Sequence, residues 1–492
     1  MAQASTPLPK LQLSIAVLIQ AAEALSATVI FPFVPQFVRD TGITGGDERK
    51  TGYWAGVLES IFFIAEFLSV YTWGRASDRF GRRPVLLLGP LGLAFALVGF
   101  GWSKSFQSLV VFRCAQGVFN GNLGVVKTVM AEIADSSNLA QIMALIPLAW
   151  SSGSTLGPII GGLFSNPEER WPNSFGKLRV LREHPYLLPC AFVGILSLLF
   201  FFIGFVWLEE SSPMILAQRK RERLRISAST DPTLTTRLVA ADAPSYGAIA
   251  GVDAANSWQT ESGQHDTLVD EELPTMRELL VPRLVIPLIN YAFFCFTQTA
   301  FQVLFPLMYS TSIENGGLGF SPYEIGVTRG IWGVLNTFCQ LFVAARVIQR
   351  FGARRIYIFA FANFTVCIGA YPILSFFAQR AQKVDIVVWT IVVVQLLSNL
   401  VISMAYSSVQ TYIVNSSPRP SALSSTNSIA QMVSTVLRAL APFIASALFA
   451  LSLQLNLAGG YMVYILLLGV VFAGICCSFL LSSDPKSNHP VL

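Results

Sequence analysis

The sequence has few charged residues. Only 12% of its 492 residues are Asp, Glu, Lys or Arg, and three are His. Soluble proteins carry about 25% charged residues, so this chain has roughly half the charge of a typical water-exposed surface. Hydrophobic residues make up 53% of the chain and aromatic residues 12%. The net charge is only +5, and no clustered basic face suggests nucleic-acid binding. The composition excludes most soluble classes and predicts apolar surface that faces lipid.

Motifs for covalent, metal or nucleotide chemistry are also missing. The seven cysteines are odd in number and lack metal-ligand spacing, so we expect them to be buried packing residues. The sequence contains no GxxxxGK[ST] loop, no nucleophile elbow and no HExxH motif. We therefore expect no catalytic residue, no metal site and no cofactor, and a function other than that of an enzyme.

Twelve apolar runs are long enough to cross a bilayer, which takes about 20 mostly apolar residues. We number them as segments 1 to 12 in chain order. The first six cover about 11–38, 53–73, 84–102, 107–129, 140–164 and 187–208. The second six cover about 284–310, 322–347, 356–377, 387–412, 424–450 and 461–481. Pro32, Pro35 and Pro306 predict kinks near the outer ends of segments 1 and 7.

A long polar stretch separates the two sets of six. It begins with a basic cluster at 219–225 and continues with many Ser, Thr and Asp residues, so we expect it to be largely disordered. The predicted organisation is a cytoplasmic N-terminus (1–10), a six-helix bundle (11–208), a cytoplasmic linker (209–283), a second six-helix bundle (284–481) and a cytoplasmic tail (482–492). Arginines crowded after segments 2 and 8 place these connections, and both termini, on the cytoplasmic side.

An internal repeat supports this division. GRASDRFGRRP follows segment 2 and RVIQRFGARRI follows segment 8. Aligning Arg-Phe-Gly in the two copies places Gly352 271 residues after Gly81, which matches the separation of segment 2 from segment 8. Repeated halves are typical of transporters whose substrate site lies between them.

The first copy resembles the signature of the major facilitator superfamily, in which a Gly and an Asp-Arg pair precede a further Gly and basic residues. The matching residues are Gly74, Asp78, Arg79, Gly81, Arg82 and Arg83. The resemblance implies an all-α membrane protein with twelve transmembrane helices in two six-helix bundles. It also implies that this loop latches the inner mouth of a central cavity. An ordinary positively charged cytoplasmic loop is the alternative for these residues.

Segment 5 carries small residues at regular spacing around a proline. These residues are Gly153, Gly157, Pro158, Gly161 and Gly162. Such spacing lets helices approach closely. The pattern resembles the segment-5 motif of antiporters in the superfamily, which its symporters usually lack, and this resemblance implies export. A plain helix-packing face is the alternative.

Acidic residues in the first half are candidates for proton coupling. Glu23 lies in the middle of segment 1, and Glu59 and Glu66 are seven residues apart on one face of segment 2. Arg113, in the sequence RCAQG, resembles the superfamily motif of segment 4, which implies that it tunes proton transfer. Charges within a membrane usually face the bundle interior. Structural pairing is the alternative role for all four residues. Lys127 is expected nearer the cytoplasmic end of segment 4, where it reaches the interface.

The second half offers candidates for substrate contact. Gln298 and Gln302 are four residues apart on one face of segment 7, and Arg438 lies in the middle of segment 11. An arginine that faces a central cavity attracts an anionic or zwitterionic substrate, while a bundle-stabilising arginine is the alternative.

The helical part of the chain resembles a fungal branch of the superfamily that is similar to plant zinc-induced facilitator-like proteins and to tetracycline-type drug antiporters. The Cys-Pro-Gly-Cys sequence of the plant proteins is absent, which argues against zinc-linked substrates. The resemblance implies proton-coupled antiport that exports a small organic molecule such as a drug, toxin or secondary metabolite. We expect a monomer in the plasma or vacuolar membrane, with substrate, protons and lipid as its partners and no nucleic acid. Nutrient uptake by symport and a non-transporting receptor are the alternatives.

Overall fold

A computed structural model describes residues 9–133, 139–212, 215–216, 281–416 and 423–482. These ranges are mostly α-helical and contain no β-strand. The predictions for residues 217–280, which form most of the linker, and for the two ends of the chain lie outside the described residues.

The first half contains segments 1 to 6. Segment 1 is helical over Lys10–Thr28 and continues, after a turn, as Val34–Asp40, so the kink predicted near its outer end is confirmed. Segment 4 is broken into two helices. The helices of segments 2 to 6 cover Thr51–Phe80, Arg82–Trp102, Phe106–Asn120 with Leu123–Ile133, Leu139–Phe164 and Leu187–Trp207.

The second half contains segments 7 to 12. Segment 7 is one continuous helix that contains Pro306, and the kink predicted there stays a prediction. Segment 8 contains a π-helical turn at Gln340–Ala344. The helices cover Pro282–Ser310, Pro322–Cys339 with Ala345–Phe351, Ala353–Ala381, Ile386–Asn415, Leu423–Gln454 and Met462–Ser478.

Most of these helices suit a membrane. Among the described residues, nine helices are long and apolar enough to cross a bilayer, and they belong to segments 1–4, 6, 7 and 9–11. Segment 12 is a shorter apolar helix. Large apolar side chains are exposed on the faces of these helices that point away from the protein interior, such as Phe95 in segment 3 and Phe472 in segment 12. This pattern is that of a multi-pass membrane protein, because exposed apolar surface on this scale faces lipid.

The two halves meet where segment 5 packs against segment 8 and segment 2 against segment 11. A Cβ atom on Gly162 would lie 2.8 Å from the Cα atom of Gly326, so the two backbones nearly touch at the outer ends of segments 5 and 8. Further from that end, the hydroxyl groups of Ser151 and Thr337 are 2.9 Å apart. These contacts close the outer side of the protein between its halves.

The structure corrects three expectations. The signature that begins at Gly74 was expected to form a loop after segment 2, but residues 74–80 form the last two turns of the segment 2 helix, and the chain turns only at Gly81. Segment 4 was expected to be continuous, but it breaks at Gly121 and Asn122, where the Asn122 side chain donates a hydrogen bond to the carbonyl of segment 3 residue Leu86. Not every cysteine is buried, because Cys476 is exposed.

Candidate functional site

Glu59 and Arg113 form a buried ion pair between segments 2 and 4. The Arg113 Nη2 atom lies 3.1 Å from a Glu59 carboxylate oxygen, and their side chains are 1% and 6% exposed, respectively. Arg113 also donates to the side-chain carbonyl of Gln116 at 2.8 Å, and its guanidinium carbon lies 4.2 Å from the centre of the Phe62 ring. This network gives each charge a partner, so burial of the pair does not leave either charge uncompensated.

Glu23 occupies a different environment. Its side chain is fully buried in segment 1, and neither carboxylate oxygen has a hydrogen-bond partner among the described residues. The side-chain amide of Gln20, one turn earlier, also has no hydrogen-bond partner among the described residues. The charged groups that act on Glu23 are Glu66 and Lys127. An isolated carboxylate is costly to bury, whereas a protonated carboxyl group is much less so, so the site suits a residue that exchanges a proton.

Glu66 interacts electrostatically with charged residues of both halves of the protein. Its charge interacts with Arg438 of segment 11 and with Lys127 of segment 4. Arg438 in turn interacts with Tyr291 and Tyr406. We refer to Glu23, Glu66, Lys127 and Arg438 as the central charge cluster. The interaction of Lys127 with these acids was not predicted, because its position in the sequence suggested that it reaches the cytoplasmic interface. Its rotation about segment 4 could not be read from the sequence.

A narrow cleft joins the Glu59 region to segment 7. It has an interior volume of about 20 Å³, which is enough for a water molecule. Its lining includes Glu59 and Gln302, together with Phe31, Phe63 and Pro306. Gln298, which was predicted on the same face as Gln302, is not part of this lining. Its side-chain oxygen is buried without a hydrogen-bond partner among the described residues.

The glycines of segment 5 lie where this helix packs closely against segments 1 and 8. Gly153, Gly157 and Gly161 face Ala24, Thr28 and Val29 of segment 1, and a Cβ atom at any of the three would collide with that helix. Gly162 instead faces segment 8 in the other half. The pattern predicted as an antiporter motif therefore brings segment 5 close to the helix that carries Glu23, and to the opposite half as well.

An inner cluster surrounds the turn between segments 2 and 3. The guanidinium group of Arg82 binds Asp78 at 2.6 Å and Glu132 at 3.0 Å. The Glu210 carboxylate accepts hydrogen bonds from the backbone N–H groups of Arg82 at 2.7 Å and Arg83 at 3.2 Å. The pairing of this turn with Glu132 and Glu210 was not predicted from the sequence, since both acids lie far along the chain.

The remaining residues of the predicted signature differ in their surroundings. Arg83 donates to the backbone carbonyl of Phe205 at 2.6 Å. Arg79 is exposed, and its guanidinium carbon lies 5.6 Å from the centre of the neighbouring Phe80 ring. Gly81 has a backbone φ of +101°, a conformation that favours glycine and allows the tight turn between the two helices.

An outer cluster links the two halves on the opposite side. Glu48 binds Arg39 at 3.2 Å, accepts from the Ser312 hydroxyl at 2.6 Å and accepts from the Asn315 amide at 3.0 Å. Arg39 also donates to the carbonyl of Ser310 at 3.3 Å. These polar residues lie in connections that are more than 260 residues apart in the chain. The sequence contained no local signal for this cluster.

A second polar contact lies beside the outer cluster. The Tyr186 hydroxyl donates a hydrogen bond to the Asp40 carboxylate, and its ring packs against Phe33 and Phe37. Burial raises the pKa of Asp40 above its usual value, while the hydrogen bond from Tyr186 and the charge of Arg39 oppose that rise. Burial and the nearby Asp40 raise the pKa of Tyr186, which stays protonated as the donor.

Solved structures share this fold. The structure of the human organic anion transporter MFSD10 (TETRAN) aligns with a TM-score of 0.57 and 19% identity, covering 96% of this chain and 100% of that one. The structure of a D-xylose-proton symporter aligns with a TM-score of 0.65 and 16% identity, covering 98% and 100%. At these identities the similarity shows the fold alone.

Sequence relatives are similar over nearly the whole chain. The major facilitator-type transporter psiT2 of Psilocybe cyanescens is 30% identical over 99% of this chain and 93% of its own length. The multidrug transporter mfsB of Aspergillus fumigatus is 26% identical over 91% and 79%. The Arabidopsis thaliana protein ZINC INDUCED FACILITATOR 1 is 26% identical over 96% and 91%. The predicted resemblance to fungal drug transporters and to zinc-induced facilitators is confirmed.

The family match completes this identification. The profile of the Major Facilitator Superfamily matches residues 16–442 and 287–491. The predicted fold, twelve transmembrane helices in two six-helix bundles, is confirmed by this match and by the solved structures. This chain belongs to the Major Facilitator Superfamily, and is a multi-pass integral membrane transporter rather than an enzyme.

Proposed function

We propose that this protein is a proton-coupled antiporter that exports a small organic molecule by alternating access. The observation that carries the proposal is the environment of Glu23, a fully buried carboxyl group without a hydrogen-bond partner among the described residues. The charges of Glu66 and Lys127 act on it, and Glu66 in turn interacts with Arg438 of the second half. The Aspergillus fumigatus relative that is named as a multidrug transporter supports export as the direction.

In this proposal the bundles 11–208 and 284–481 rock about the central charge cluster, and the linker 209–283 joins them on the cytoplasmic side. The terminal segments 1–10 and 482–492 also lie on that side. The outer cluster holds the outer side closed in the conformation described here. The inner cluster, which contains Asp78 and Arg82, closes the opposite side when the outer contacts separate. The protein acts as a monomer in the plasma or vacuolar membrane.

Proton and substrate compete in the central charge cluster. When Glu23 or Glu66 is ionised, its carboxylate attracts the positive group of a zwitterionic molecule whose anionic group lies near an arginine of the second half, such as Arg438. When the carboxyl group takes up a proton, this attraction is lost and substrate binding weakens. This competition is the physical basis of exchange, since each ligand lowers the affinity for the other.

Other candidate residues have supporting roles. Glu59 and Arg113 hold segments 2 and 4 together. Their charges also contribute to the electrostatic potential at the central charge cluster. The segment 5 residues Gly153, Gly157, Pro158, Gly161 and Gly162 let that helix slide closely past segments 1 and 8. Gln302, in the cleft beside Glu59, and Gln298 contribute hydrogen bonds to a substrate from segment 7.

The test uses purified protein in liposomes with an imposed pH gradient and an internal pH dye. Amphipathic drugs and fungal metabolites are added one at a time. We expect at least one compound to evoke proton movement in the wild type, and we expect Glu23→Gln and Glu66→Gln to abolish it. Glu209→Gln, at an exposed acid outside the cluster, is the matched control and keeps the wild-type rate.

Counterflow of the same compound then tests the direction of coupling. Substrate movement opposite to proton movement supports antiport. Movement in the same direction supports the symport alternative and contradicts the proposal. Undiminished proton movement in both Glu23→Gln and Glu66→Gln would refute the assignment of the coupling residues.

A further inference from the structure

Arg329 is a buried arginine whose positive charge has no carboxylate beside it among the described residues. It lies in segment 8, its residue is 9% exposed, and its Nη1 atom is buried without a hydrogen-bond partner in the described structure. The guanidinium carbon lies 4.4 Å from the centre of the Trp332 ring and 5.4 Å from that of Phe305. Aromatic faces attract the cation but do not neutralise its charge.

The other two arginines in membrane-spanning helices considered above differ from Arg329. Arg113 forms an ion pair with Glu59, and Arg438 interacts with Glu66. The groups that act electrostatically on Arg329 are Tyr309, Tyr371 and Cys367, none of which carries a carboxylate. A buried charge without a partner is strongly unfavourable. The geometry therefore leaves a place for a negative charge at this position.

Several unused hydrogen-bond donors accompany Arg329. The indole N–H of Trp332 and the hydroxyl of Tyr371 are both buried without a partner in the described part of the chain. Asn336 lies two turns further along the same face of segment 8, and its side-chain oxygen is also unpaired there. The unpaired donors are the Arg329 Nη1 group, the Trp332 indole and the Tyr371 hydroxyl, and the Asn336 oxygen is an unpaired acceptor. This excess of donors is complementary to an anionic oxygen group.

Arg329 lies close in the chain to the interface at which segments 5 and 8 join the two halves. Gly330 and Gly333, on the adjacent face of segment 8, contact Ile159 and Thr155 of segment 5. Arg329 is thus one residue from a surface that separates when the halves rock apart.

We propose that Arg329, with Trp332 and Tyr371, forms a binding site for the carboxylate of the transported molecule, which makes the substrate an organic anion or zwitterion. Trp332 offers a flat apolar surface beside the carboxylate, so an aromatic or other planar acid fits. The proposal deepens the proposed function but concerns binding alone. It is tested without a proton gradient, so failure of proton coupling and failure of this site give different results.

The experiment measures thermal stabilisation of the purified full chain in chloride-free HEPES buffer. The probes are 3-phenylpropionate, its amide and 3-phenylpropylamine, which share one carbon skeleton and differ in charge. We expect the carboxylate to raise the melting temperature of the wild type, and the amide and amine to have little effect. Arg329→Gln is expected to weaken carboxylate binding at least tenfold, and Arg329→Lys to weaken it less. Arg346→Gln, at an exposed arginine of segment 8, is the matched control and binds as the wild type.

A second measurement does not depend on removing the charge. The carboxylate is expected to change the tryptophan fluorescence of the wild type, and Trp332→Phe is expected to lose that change. The proposal is overturned if the amine binds as well as the acid, or if Arg329→Gln folds and binds the acid as the wild type does. It is also overturned if chloride alone stabilises the protein and the carboxylate adds nothing, because the site then holds an inorganic anion.

Discussion

The Glu59 carboxylate and the Arg113 guanidinium group meet at 3.1 Å in a place where neither has appreciable contact with solvent. Removing one partner from such a pair leaves a buried charge and costs about 3–5 kcal/mol. We therefore expect Glu59→Gln to lower the melting temperature of the purified protein strongly. Thermal unfolding followed by intrinsic fluorescence measures this effect.

The matched control for this ion pair is Glu183→Gln, which breaks exposed ion pairs with Arg179 and Lys104 and is expected to leave the melting temperature nearly unchanged. The double variant Glu59→Gln with Arg113→Gln removes both charges and is expected to be more stable than Glu59→Gln alone. A double variant that is as unstable as the sum of the single variants would show that the two residues do not act as a pair.

The repeated turns at Gly81 and Gly352 allow a paired comparison. Both glycines have positive φ, +101° and +83°, and alanine in such a conformation costs about 1–3 kcal/mol. A Cβ atom on Gly81 would also lie 2.5 Å from the Glu210 carboxylate, whereas one on Gly352 would have open space. We expect Gly81→Ala to lower the melting temperature and the transport rate more than Gly352→Ala. Equal effects would mean that the Glu210 contact is unimportant.

Glu48 holds the outer cluster together, because it accepts from groups on both halves. We expect Glu48→Gln to lose its ion pair with Arg39 and to shift the protein toward conformations with an open outer side. Hydrogen exchange measured by mass spectrometry should become faster in residues 306–318. Glu314→Gln, an exposed acid in the same connection, is the control and should leave the exchange unchanged. Identical exchange in the two variants would argue against a gating role for Glu48.

The contact between Tyr186 and Asp40 predicts a pH-dependent loss of stability. Phenylalanine at position 186 keeps the ring packing but removes the hydrogen bond that lowers the pKa of Asp40. The variant is thus expected to lose about 1 kcal/mol at pH values where Asp40 is ionised, since hydrogen bonds to charged groups are the stronger ones. At acidic pH Asp40 is protonated in both proteins and the difference shrinks. Melting temperatures measured over a series of pH values from neutral to acidic test this, with Tyr71→Phe at an exposed site as control.

The sequence was sufficient to predict the helices because each lipid-spanning segment must be long and apolar throughout. It also revealed the paired turns at Gly81 and Gly352, since short repeated signatures depend only on local geometry. It misplaced Gly74, because the charged last turns of a helix that extends into water have the composition of a loop.

The missed contacts have a different cause. Glu48 meets Asn315 through loops that are distant in the chain, and no local pattern encodes such a meeting. The neighbours of Lys127 depend on the rotation of segment 4 after its break at Gly121, which hydropathy does not determine. Whether Arg329 has an acidic neighbour likewise depends on how segments 7 and 9 pack against segment 8, so only the folded arrangement shows it.

The near contact of Gly162 with Gly326 has a consequence for the speed of the transport cycle. Neither residue has a side chain, so the two helices can part and rejoin there without any change of rotamer. The resistance to opening at this point is then little more than the loss of van der Waals attraction between two smooth surfaces. The threshold for opening then lies in the polar contacts between the halves, which include those of Glu48, the Arg39–Ser310 hydrogen bond and the Ser151–Thr337 contact. A few polar side chains can therefore set how often the outer side opens, while the glycine surfaces of segments 5 and 8 offer little resistance to separation.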